Sequence, residues 1–153
     1  MNIKTRYFGE IELDDSKIIT FESGLFGFEE YKRFALLFNS ESDDRPAISW
    51  LQSVDEQTLA LPVLIPTVVM PDYNPIVEDG VLQALGDWNE DNISVLVTIT
   101  VPKDLKQMTT NMKAPIIINT ENMKGCQVVV ENQEYEIKYH IYDILNAAKE
   151  RKG

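Results

Sequence analysis

Any chemistry in this chain would have to come from carboxylates, because the other reactive side chains are scarce. There is one histidine and one cysteine, so a zinc site of the Cys/His type cannot be assembled from a single chain. His140 falls on the polar face of an expected strand and reads as a solvated or structural histidine rather than a general base. A Ser-His-Asp arrangement made in space stays open, but no serine sits in a nucleophile turn of the G-x-S-x-G kind. Cys126, near Gly125 and Val128, reads as a small buried residue. Alone it forms no intramolecular disulfide, which favours a reducing, cytoplasmic compartment.

Adjacent acids are frequent: Asp14-Asp15, Glu29-Glu30, Asp43-Asp44, Asp55-Glu56, Glu78-Asp79 and Glu90-Asp91. A calcium loop alternates its acids and adds a glycine and a terminal glutamate, and none of these pairs does so. Two carboxylates brought together by folding would still suit a hydrolase; taken singly, each pair reads as solvated turn. Gly24-Leu25-Phe26-Gly27-Phe28 is glycine-rich, yet a phosphate loop needs Lys-Ser/Thr after its second glycine. Bulky apolar residues stand where phosphate would approach, so this segment reads as a turn tucking Leu25, Phe26 and Phe28 against the core. Asn92-Ile93-Ser94 matches a glycosylation pattern that has no meaning in a cytosolic protein. No cofactor, metal or catalytic set is expected, and a binding module is favoured over an enzyme.

The elements that would carry these residues are mostly strands. Ile3, Thr5 and Tyr7 alternate with Lys4 and Arg6, Gly9 turns the chain, and Glu10–Leu13 alternates again, which predicts a hairpin. Asp14-Asp15-Ser16 makes the next turn before a strand over Lys17–Phe21. Arg33–Phe38 reads as a strand buried on both faces, and Glu41–Pro46 as a polar loop. Two strands follow, Ala47–Val54 and Leu59–Ile65, joined tightly by Asp55-Glu56-Gln57-Thr58. Pro62 cannot donate a ladder hydrogen bond, so it marks an edge or a bulge.

Pro66, Pro71 and Pro75 break regular structure, Ile76–Leu85 offers a short helix interrupted by Gly80, and residues 66–90 as a whole read as an irregular excursion with about two helical turns. Long loops inside compact domains are often functional. Ile93, Val95, Val97, Ile99 and Val101 then share one strand face, with Ser94, Thr98 and Thr100 on the other. Pro102-Lys103-Asp104 ends that strand and starts a helical turn. Further strands are expected over Ile116–Ile118, Gln127–Val130 after a Gly125 turn, and Tyr135–Ile141, with a helix from Asp143 onward.

About ten strands, short turns and few helices exclude a parallel α/β arrangement. The expectation is a mostly β protein: one compact antiparallel β-barrel-like domain over residues 1–153, closed by a short C-terminal helix. No apolar run approaches the roughly 20 residues that span a bilayer. Met1–Arg6 leads directly into alternating residues, without the continuous apolar stretch of a signal peptide.

Net charge is −11, and it is unevenly spread. Residues 1–100 hold 18 acidic and 6 basic side chains, while residues 101–153 hold 7 and 8. Such a charge reads either as a means of solubility, the default for an acidic protein, or as a surface that steers a basic partner and repels nucleic acid. No basic cluster is present to replace the counterions of a phosphate backbone.

Four segments, in order, give the chain a resemblance over about residues 2–140. Ile19–Glu29 carries F-x-x-G-L-x-G-F-E. Leu51-Gln52-Ser53-Val54 precedes Leu59-Ala60-Leu61-Pro62-Val63 and Pro66. Asn111-Met112-Lys113-Ala114-Pro115-Ile116-Ile117-Ile118-Asn119 follows, and then Gly125-Cys126-Gln127-Val128-Val129. Together they resemble the FliW family of flagellar assembly factors. Met112 replaces the family's usual leucine, a volume-conserving exchange, and Leu61 stands where an aromatic is frequent.

The resemblance implies a non-enzymatic, cytoplasmic regulator that binds the RNA-binding translational repressor CsrA and relieves repression of flagellin messenger RNA. It also implies that flagellin binds as a competing partner. Neither direct nucleic-acid binding nor membrane association is expected. Contact is expected first from Asp72, Tyr73 and Asn74 in the proline-bounded loop, since tyrosine often anchors interfaces. Asp55, Glu56, Glu78 and Asp79 would serve as charged rim, though Tyr73 would equally serve to pack the excursion down. The alternatives are a small-ligand-binding β-barrel, a carboxylate-dependent hydrolase, and a dedicated flagellin chaperone without effect on the repressor.

Overall fold

The computed structural model describes residues 1–37 and 48–152; the expected polar loop over Glu41–Pro46 lies outside them. The first strands, β1 (Asn2–Lys4) and β2 (Glu10–Glu12), pair antiparallel with Ile3 opposite Ile11. This is the expected hairpin, and it lays Ile3 and Leu13 on Ala35. A 3-10 turn over Asp15–Lys17, capped by the Asp14 carboxylate, leads to β3 (Ile19–Thr20). Next come β4 (Arg33–Leu37), β5 (Ile48–Ser53) and β6 (Ala60–Leu64). Phe34 and Ala35, neighbours on β4, are both fully buried, as expected of a strand covered on both faces.

The excursion contains a 3-10 turn at Pro66–Val68 and a short helix, α1 (Asp79–Gln83). After it run β7 (Ile93–Thr100), β8 (Thr109–Thr110), β9 (Ile116–Asn119) and β10 (Lys124–Gln127). The chain ends with β11 (Tyr139–His140) and α2 (Tyr142–Lys152). The expected turn after Pro102 is present at Leu105–Gln107.

Seven strands close into a barrel in the order β7-β6-β5-β4-β3-β10-β9, with β9 pairing back to β7. All neighbours are antiparallel except β10 and β3, which run parallel. Strands β8 and β11 extend the sheet beyond β7. Phe21, Leu25, Phe34, Leu51, Val63 and Leu96 fill the barrel. Burying each such side chain contributes roughly 1.5–3 kcal/mol.

A second apolar layer lies outside the barrel. Val69 and Tyr73 from the excursion, with Ile141 and the start of α2, cover Leu64, Val97 and Ile99. Leu85, Val81 and Leu82 cover Ile117 and Val128. The proline-rich excursion is thus a lid on β7 and β9. This is why Ile116-Ile117-Ile118 is apolar at three successive positions: both faces of β9 are covered.

Four sequence expectations are corrected. Ile93, Val95, Val97 and Ile99 do share a face of β7, the outer one, while Leu96 on the other enters the barrel; Val101, expected to continue that face, lies past the strand and is exposed. The turn before β10 is at Thr120–Met123, with Met123 at φ 58°, so Gly125 lies inside the strand and Val128–Val130 beyond it. Only Tyr139–His140 of the Tyr135–Ile141 stretch pairs, and Ile137 is exposed. Leu25 is buried and Phe28 packs on the core, but Phe26 points outward.

Pro62 acts as expected of a residue that cannot donate. The Ser53 N–H donates to the Leu59 carbonyl, so by the strand's period of two Leu59, Leu61 and Val63 bond toward β5. Ala60, Pro62 and Leu64 therefore face β7. Leu64 pairs there with Val97, but at Pro62 the ladder lacks its donor and stops.

Gly125 shows how tightly the barrel is filled. A Cβ there would run into the Phe21 ring. Gly125→Ala is expected to destabilise the fold by about 1–3 kcal/mol through overpacking, read as a lower urea midpoint with an unchanged slope.

Candidate functional site

The shared motif residues turn out to be backbone partners. Gln52, 1% exposed, accepts the Arg6 N–H at 3.0 Å and donates to the Ser53 carbonyl at 3.0 Å, facing the Gln57 and Leu59 carbonyls at 3.2 Å. It joins the β5–β6 turn to the N-terminal hairpin. Gln127 accepts from the Phe26 N–H at 2.8 Å and donates to the Ala114 carbonyl at 3.0 Å. Asn111 accepts from the Lys113 and Ala114 N–H groups, the latter at 3.0 Å. Asn119, fully buried, donates to the carbonyls of Leu85 and Asp87. Asn132 accepts from the Ile76 N–H at 2.6 Å and donates to the Asn74 carbonyl at 3.0 Å.

Gly24 holds φ 70°, where a Cβ would strike the Glu29 backbone. Each of these residues satisfies irregular chain that would otherwise lose hydrogen bonds on burial. The carboxamide side chains among them are spent on the fold.

The expected contact residues fall into separate neighbourhoods. Asp72 is exposed. Tyr73 is buried: its ring stacks on Tyr135 at 4.7 Å and its hydroxyl donates to the Met112 carbonyl at 2.8 Å. The Asn74 N–H donates to the Tyr135 hydroxyl at 2.7 Å, leaving its side chain exposed. Tyr73 therefore packs the excursion down. Burial pushes its phenol well above the ordinary range.

Asp55 and Glu56 cap a different turn, where both N–H groups donate to the Ser53 hydroxyl. Arg33 Nε donates to Asp55 Oδ2 at 3.2 Å, and this contact holds the Asp55 carboxyl below its usual value. Glu56 is half-buried. Glu78 is exposed and precedes α1, which begins at Asp79.

Beside Glu56 runs a groove of about 350 Å³ whose floor includes Phe28, Tyr31, Leu59 and Leu61, with Arg6 at one end. The negative charge of Glu30, then burial, then Glu56 push the Tyr31 phenol up, so the groove sits in a negative field. Sequence reasoning assigned Phe28 to the core and passed over Tyr31; the signal was an aromatic between two acids and two bases, Glu29-Glu30-Tyr31-Lys32-Arg33, at the start of a strand.

The remaining reactive groups offer little chemistry. The half-buried Cys126 thiol is pushed up to about 11 by burial, and so stays protonated at neutral pH. His140 is exposed on β11. Among the described residues, no three His, Cys, Asp or Glu side chains cluster as a metal site, and no helix is long and apolar enough to cross a membrane.

Two substitutions separate these roles. Gln52→Leu, which orphans the Arg6 N–H and several carbonyls, is expected to lower stability by about 1–3 kcal/mol in denaturant titration. The folded state holds the Tyr73 proton more tightly than the unfolded chain does. That stabilisation is intact below the ordinary tyrosine value of about 10 and is lost as pH rises past it. Tyr73→Phe is expected to flatten the decline of melting temperature above that pH.

Comparison with known proteins agrees with this architecture. The family model described as FliW protein matches residues 2–141. A flagellar assembly factor FliW from Lachnoclostridium phytofermentans is 53% identical over 154 residues, spanning 100% of this chain and 99% of that protein. The one from Lachnospira eligens is 49% identical, spanning 95% and 97%. A crystal structure of the flagellar assembly factor FliW superposes with a TM-score of 0.83 at 33% identity, covering 92% of this chain and 96% of that one.

Proposed function

The chain belongs to the FliW family, and from that premise we propose that it is a non-enzymatic flagellar assembly regulator acting in the cytoplasm. It binds a CsrA-type translational repressor and so relieves repression of flagellin messenger RNA. Flagellin binds as the competing partner: free flagellin occupies the regulator, and its export releases the regulator to act on the repressor.

The observation that carries this reading is an acidic surface left largely uncompensated. Residues 1–100 have a net balance of −12. Among the described residues, only Glu12, Glu22 and Asp55 sit in ion pairs. The field is therefore available to a basic protein rather than spent within the fold. Docked beside an RNA site, it opposes RNA electrostatically, and a coupling of about 1–3 kcal/mol lowers RNA affinity roughly 5- to 150-fold.

The test mixes the protein with the repressor and a labelled flagellin leader RNA, with and without flagellin. The expected outcome is release of RNA, its rebinding when flagellin is added, and a regulator–repressor complex that weakens as salt rises. RNA that stays bound while flagellin alone associates would favour the dedicated chaperone. A salt-independent complex would remove the electrostatic part of the mechanism.

A further inference from the structure

The groove beside Glu56 combines three features seen together nowhere else among the described residues. Its floor is apolar and aromatic, from Phe28, Tyr31, Leu59 and Leu61. Its wall is the start of β6, at Ala60 and Leu61. Its rim is acidic, from Glu56 and the adjacent Glu30, while the Arg6 guanidinium is already engaged by the Thr58 carbonyl at 3.2 Å and the Tyr7 ring at 5.1 Å.

An apolar groove with an aromatic floor receives an anchoring apolar side chain of a partner segment. The flanking acids specify the sign of what enters, because a cation is favoured both by carboxylates and by the face of a tyrosine ring. We infer that this groove receives a segment of the basic repressor. One apolar side chain of that segment lies on Tyr31 and Leu61, and a lysine or arginine lies against Glu56. The upward displacement of the Tyr31 phenol is consistent with a negative potential at that spot.

The inference rests on the proposed partnership and locates its contact at the β5–β6 turn and the Phe28–Tyr31 loop, away from Asp72–Asn74.

Binding of the purified repressor is measured by calorimetry for the full chain and three variants, each checked by thermal melting. Glu56→Lys reverses the rim charge. Thr58→Trp, at an exposed position, fills the groove without entering the core. Asp72→Lys makes the same charge change at the other candidate surface. The expected result is a loss of roughly tenfold or more for the first two and a change within about threefold for the third. Repressor binding that Glu56→Lys and Thr58→Trp leave intact overturns the groove while the partnership stands. Absence of repressor binding by the unaltered protein at low salt overturns the partnership, and the groove with it. Loss of flagellin binding alone in these two variants assigns the groove to flagellin and overturns the inference as stated.

Discussion

A barrel covered on its outside by irregular chain must satisfy that chain's backbone away from water, and carboxamide side chains meet this constraint here. Gln52, Asn111, Asn119, Gln127 and Asn132 each bond main-chain groups in turns or in the excursion. One amide can both donate and accept, so a single side chain ties two segments distant in sequence. Gln127, for instance, connects the Phe26 N–H to the Ala114 carbonyl. Without these links the 66–90 excursion would carry unpaired polar groups over β7 and β9, and the apolar residues it covers would lose their cover.

This arrangement separates the residues that build the fold from those free to bind. The family's glycine, glutamine and asparagine positions are committed to turns and backbone bonds, while most carboxylates remain on the surface. The proposed role of occupying partners needs a rigid frame and an accessible field. Rigidity comes from the filled barrel and its pinned lid, and the field from an acid-rich first hundred residues. The groove beside Glu56 is the place where frame and field meet.

Much of the fold was legible because strands with one covered face alternate visibly. The β1–β2 hairpin, β5, β6 and the edge character of Pro62 follow from period two and from proline's missing donor. Legibility failed where burial was two-sided or where pairing was not local. On β7 the excursion covers the face that periodicity marks as apolar, so the pattern does not reveal that Leu96, on the other face, is the residue that enters the barrel. Gly125 was taken for a turn because nothing local reveals that Phe21 needs its missing side chain. Tyr135–Ile141 alternates well, yet only two residues find a partner strand. For the candidate site, the acids were visible as types but not as places. Tyr73 was legible as an interface anchor or a packing residue, and only tertiary contact to Tyr135 and Met112 decides for packing. The groove was hidden because Tyr31 and Leu59–Leu61 converge only on folding.

The account's central claim is that the pinned frame stays put while the acidic half carries the partner. Amide hydrogen exchange of the protein, alone and with the repressor, tests it most directly. The account predicts slowed exchange at the β5–β6 turn and the Phe28–Tyr31 loop, with the β9–β10 ladder and the carboxamide-pinned turns unchanged. Protection confined to residues 101–153, or a general loosening of the β9–β10 ladder on binding, would contradict it.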